Sequence, residues 1–159
     1  MIPRARIKRG RSGELRLRLP SDERDLLHLL CEELRERVGD EPDHPDLRRL
    51  FPSAHADDPD AEAEYRRLVG TQLANGRERA VETVQATIER ETLTAEEGEA
   101  WLTVLNDLRL VLGTRLDVSE EMTFDLDPND PSAAQLAVYA YLSWLQEQLV
   151  EALAAGLSN

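Results

Sequence analysis

One cysteine, Cys31, is all the sequence holds in 159 residues. An internal disulfide and a zinc ribbon each need more thiols, so both are excluded. Aromatics are scarce, at 4% of the chain, so a core has to come mostly from Leu, Val and Ala. Lysine is nearly absent: Lys8 is the only one, and the other bases are arginines. No apolar run approaches the ~20 residues of a membrane-spanning helix. The basic N-terminus lacks the apolar stretch of a secretory signal. These absences point to a cytoplasmic protein with no membrane partner. GxSxG, Walker and Rossmann glycine patterns are also missing, which argues against an enzyme of those classes.

What is present is globular in character. Hydrophobic residues make up 41% and charged residues 32%, with a net charge of −13. The length suits one domain, 1–159, with a real core. Charge is unevenly placed. Residues 1–20 hold seven bases against one acid, +6, whereas the remainder holds twelve bases against thirty-one acids, −19. A basic arm on an acidic body either lies on that body or reaches for an external polyanion.

Residues 4–9 and 14–19 alternate with period two around "GRSG", where Gly10 and Gly13 are free to take positive φ. This predicts a β-hairpin. Ala5, Ile7, Leu15, Leu17 and Leu19 form its apolar face; Arg4, Arg6, Lys8, Arg16 and Arg18 form its basic face. A helical body over 21–157 follows. Ser21 is a suitable cap for a helix over about 22–38, ended by Gly39. Residues 39–60 are loop-rich, with a short helix after Pro45 and Leu47, Leu50 and Phe51 as anchors. Asp58-Pro59 starts a helix to about 92, whose apolar stripe rotates near Gly76, so a kink or a break is expected. Thr94 and Glu97 have the spacing of a capping box for a helix over about 95–112, with Gly113 as its cap. Asp130-Pro131 starts the last helix, which Gly156 ends. The pattern is mainly α: a bundle of about five helices with an N-terminal hairpin.

The segments "RLFPSAHADDPDAEAEYRRLV", "AWLTVLNDLRLVLGTRLDV" and "DPNDPSAAQLAVYAYLSWLQEQLVEAL" resemble an actinobacterial domain-of-unknown-function family, the one numbered twenty-seventeen. The most specific block runs from Leu105 to Leu116. The resemblance implies a small, mostly helical protein with no established activity. It implies a frequent gene neighbour, the adaptor of the Clp protease, and for some members a transcription-regulator label. It carries no catalytic residues and no cofactor.

The candidate sites are few. Asp125, Asp127 and Asn129 resemble the start of a calcium loop, but the required Gly and Glu are replaced by Asp130 and Leu136, so the coordination pattern fails. His44, His55, Asp57 and Asp58 match no closed metal frame. Cys31 lies on an apolar stripe and reads as a small hydrophobe. Asn106, Asp107 and Arg109 read as a structural polar clamp, because a buried charge must be paired. Tyr141 and Trp144 sit on a second face of the last helix. They either meet a protein partner, including a second copy of the chain, or pack under the hairpin. The function expected is a non-catalytic interaction or regulatory module. The alternative is a nucleic-acid-binding regulator using the basic hairpin face.

Overall fold

A computed structural model describes residues 4–40, 57–116 and 132–157. Four helices dominate the described residues: α1 (Ser21–Asp40), α2 (Pro59–Thr87), α3 (Ala95–Leu116) and α4 (Ala133–Leu157). Three short strands, β1 (Ile7–Arg9), β2 (Leu15–Leu17) and β3 (Thr92–Leu93), form one antiparallel sheet in the order β1-β2-β3. The mainly α architecture with an N-terminal hairpin is therefore present. The short helix expected after Pro45, its apolar anchors and the Asp130-Pro131 start lie outside the described residues.

The hairpin closes as its residues dictate. Gly10 N–H donates to Glu14 O at 2.6 Å, and Gly13 alone takes a left-handed φ, of 88°, which suits glycine. Ile7 pairs with Leu17, and Leu15 with Leu93. Period two then buries Ile7, Leu15, Leu17 and Leu19 together. Gly98 makes this docking possible: a Cβ there would collide with Leu15 and crowd Leu153.

Two helix starts form as their sequence signals require. Asp58 accepts a hydrogen bond from Ala61 N–H at 3.2 Å. Thr94 and Glu97 satisfy each other's backbone N–H groups at 2.9 and 3.1 Å. Arg90 also donates to Glu97 at 2.8 Å. The Thr94 N–H and Arg90 together hold the Glu97 carboxyl below its usual range. At α1 the first backbone bond goes to Pro20 O rather than to a Ser21 cap.

The core joins all these elements. Trp101, Val104, Leu105, Leu108 and Leu112 of α3 are buried with Leu142, Leu145 and Leu149 of α4, and with Val81, Val84 and Ile88. Helix α3 lies against both α4 and α2, and β1 rests on α4. Trp101 is fully buried, and its indole N–H donates to Thr87 Oγ1 at 2.8 Å.

Several expectations are corrected. Helix α2 is one helix through Gly76 rather than two, and it stops at Thr87, five residues before the expected end. The chain then turns so that Leu93 buries beside Leu15 as a third strand. Gly113 lies inside α3 rather than ending it, whereas Gly39 and Gly156 are each the last residue but one of their helices. On α4, Val150 is 45% exposed and Ala152 is buried.

Candidate functional site

The basic hairpin residues divide into two groups. Lys8, Arg16 and Arg18 stand exposed on the outer face of the sheet. Lys8 lies opposite Arg16, and Arg16 opposite Thr92, so one row crosses all three strands. Arg4 is exposed just before β1. Arg16, Leu17, Arg18, Glu91 and Thr92 line a groove together with Arg24 of α1. Arg24 donates to Glu89 at 3.2 Å, and Glu89 also meets His28 at 3.2 Å. His28 thus stands beside the Arg24–Glu89 pair. Arg16 contacts Glu14 at 3.3 Å but its side chain stays 53% exposed. Such an exposed pair contributes little stability.

Arg6 departs from its expected place on the polyanion-facing surface. It turns into the body and pairs with Glu23 of α1 at 3.0 Å, both side chains only 17% exposed. Its guanidinium sits 5.4 Å from the ring centre of Trp144, in range of a cation–π contact. The hydrogen bond to Glu23 raises the Arg6 pKa further. Tyr141 O–H donates to the same carboxylate at 2.6 Å. Burial, then that bond to an anion, pushes the Tyr141 pKa up. Gln148 Oε1 accepts from the Arg6 and Ile7 N–H groups at 2.6 and 3.2 Å. Tyr141 and Trp144 are therefore half-buried beneath β1 and beside α1, their polar and π faces largely engaged within the chain. The cause is tertiary: Glu23 of α1 and Trp144 and Gln148 of α4 converge on Arg6, whose carbonyl still accepts from Arg18 N–H across the hairpin at 2.8 Å.

Asp107 and Arg109 face different neighbours, as their separation on the helix requires. Arg109 donates to Ser143 Oγ at 2.9 Å and Gln146 Oε1 at 2.7 Å, and lies over Tyr139. It fastens α3 to α4. Asp107, 3% exposed, faces α2, with its Oδ2 3.7 Å from Arg77 Nε and no hydrogen bond to that oxygen. Desolvation pushes its carboxyl up to about 6, opposed by the Arg77 charge. Asn106 is half-buried on α3 beside them.

Cys31 is fully buried, and burial pushes its thiol up to about 12. Asp58 is used as a helix cap. The His44, His55 and Asp125–Asn129 segments lie outside the described residues. Among the described residues, no three His, Cys, Asp or Glu side chains gather as metal ligands, and no helix is long and apolar enough to cross a membrane.

These features define a mainly α protein with a small sheet that is basic on its outer face. Residues 3–153 match the model of the domain of unknown function DUF2017, and the chain belongs to that family. It is 32% identical over 148 residues to the "Oxidative stress regulator AosR" of Mycobacterium tuberculosis and of Mycobacterium bovis, covering 82% of this chain. It is 30% identical over 131 residues to the "Putative oxidative stress regulator AosR" of Mycobacterium leprae, covering 72% of this chain and 60% of that protein. The chain spans 66% of the length of the first of these curated relatives. No solved structure gives a significant match.

Proposed function

We propose that this protein is a regulator that acts by binding another protein and performs no reaction of its own. The observation that carries this reading is its similarity to relatives named as oxidative stress regulators, over 82% of its length. The state of Cys31 supports the contact role. An oxidant-sensing thiol needs accessibility and thiolate character, and Cys31 has neither. Any response to oxidant therefore reaches this chain through a partner rather than through its own thiol. The Clp adaptor implied by the family's gene neighbourhood is one partner to look for.

The test is deletion of the gene in the native host, followed by peroxide challenge and transcript sequencing. It is paired with affinity capture of the tagged protein and reconstitution with the captured partner. A regulator of this kind loses a defined set of peroxide-responsive changes on deletion, and its partner forms a stoichiometric complex in size-exclusion chromatography. An unchanged peroxide response and an uncomplexed protein refute the reading. The second reading, a nucleic-acid-binding regulator, is favoured by one observation, the exposed row of Lys8, Arg16 and Arg18. Retention on heparin that disappears when these three residues are reversed to Glu, together with tight, sequence-selective DNA binding, would establish it.

A further inference from the structure

We propose that the outer face of the β1-β2-β3 sheet, formed by Lys8, Arg16 and Arg18 and lined also by Arg24, docks an extended acidic segment of a partner protein. This specifies the partner chemistry for the contact role above and rests on that reading. The face has uncommitted positive charge: Lys8 and Arg18 form no ion pair among the described residues. Arg24 of the groove lining is held in place by its bond to Glu89 at 3.2 Å.

Charge complementarity calls for an anion, and geometry selects the kind. Arg16 and Arg18 lie two residues apart on or just past β2, about 7 Å along the strand. Alternate side chains of an extended peptide have the same spacing, so a run with Glu or Asp at every second residue meets them in register. A strip of that width needs only a few cations. A nucleic-acid duplex needs a broader set of phosphate contacts, and single strands favour stacking aromatics. The groove has no aromatic side chain in its lining. Beyond residue 20 the chain is also strongly acidic. A second copy of the chain docking its acidic body on this face would show as self-association of the chain alone in size-exclusion chromatography and would overturn the proposal.

The test is fluorescence anisotropy with the full chain and a labelled peptide of alternating glutamate and serine, about a dozen residues long. Salt is set near 0.15 M, where a Debye length of about 8 Å limits repulsion from the acidic body. Saturable binding is expected. The double variant Arg16→Glu, Arg18→Glu weakens it about tenfold or more, and raising the salt weakens it severalfold. Arg79→Glu, an exposed reversal on α2, changes it by less than about twofold. Circular dichroism melting checks that each variant is folded. If the double reversal unfolds, Arg16→Gln, Arg18→Gln gives the same direction of loss. The proposal is overturned by absence of saturable peptide binding, by an equal loss from Arg79→Glu, or by tighter binding of a DNA duplex than of the peptide. A captured partner that binds wild type and the double variant equally overturns this face alone and leaves the contact role standing. Peptide binding without any captured partner supports the face and counts against the contact role.

Discussion

The bond between Trp101 and Thr87 offers a direct test of how α2 and α3 are held together. Trp101 is fully buried, and its Nε1–H has Thr87 Oγ1 as its acceptor at 2.8 Å. The Thr87 hydroxyl in turn donates to Thr83 O at 2.7 Å. Thr87→Val keeps the shape and removes the acceptor. The Thr83 carbonyl keeps its place in the helix ladder, so its loss is small. The indole N–H is left buried without a partner, which costs about 1–3 kcal/mol. Trp101→Phe removes that donor and costs stability through lost volume. In the Phe background Thr87→Val then has no orphan to create, and its cost falls below about 0.5 kcal/mol. Urea unfolding followed by far-UV circular dichroism measures all four proteins, provided unfolding is two-state. For a chain of this size, each kcal/mol also moves the melting midpoint by about 2–4 °C. Equal cost of Thr87→Val in both backgrounds would refute the reasoning, because the hydrogen bond would then add nothing beyond packing.

Leu108 is 6% exposed in the α3–α4 core, so Leu108→Ala should lower unfolding free energy by about 2–5 kcal/mol; a loss under about 0.5 kcal/mol places it outside the core. Asp107 has a raised carboxyl pKa of about 6, so the folded state holds its proton more tightly than the unfolded chain. Its contribution is favourable at acid pH and is lost as pH rises from about 4 to above 6. Asp107→Asn should therefore gain on wild type across that window in paired melting curves, and a pH-independent difference counts against it. Cys31 should resist Ellman's reagent in the native protein and react once urea unfolds it, whereas rapid native reaction contradicts its burial. Glu23→Ala leaves the Arg6 and Tyr141 donors without their acceptor and should cost about 1–3 kcal/mol. It should also speed tryptic cleavage within the hairpin, and unchanged cleavage would show that the hairpin is held by its apolar face alone.

Some of this molecule is written in short stretches of sequence. The hairpin turn at Gly13, the Asp58-Pro59 start and the Thr94–Glu97 box each depend on neighbours within a few residues, so spacing alone announces them. The stripe of Trp101, Leu105, Leu108 and Leu112 is equally legible, because one helical period places those side chains together whatever they pack against. Half of the candidate site was legible in the same way: period two puts Lys8, Arg16 and Arg18 on one face. Arg24 and Glu91 complete the groove from α1 and the turn just before β3, and no local pattern links them to it.

Other features were decided only when distant parts met. Gly113 looks like a helix stop, yet glycine permits a left-handed ending without requiring one, and α3 continues through it. Residues 88–92 follow a helical pattern, but burial of Leu93 beside Leu15 favours a third strand. Arg6 has the sequence of a solvated arm residue, and it turns inward because Glu23, Trp144 and Gln148 converge on it from two helices. Asp107 reads from the sequence as part of a polar clamp with Arg109, but it faces Arg77 of α2 instead, and that burial raises its pKa. Short-range patterns set where elements begin and which side is apolar; which polar groups meet, and which charges remain free for a partner, was set by how those elements pack.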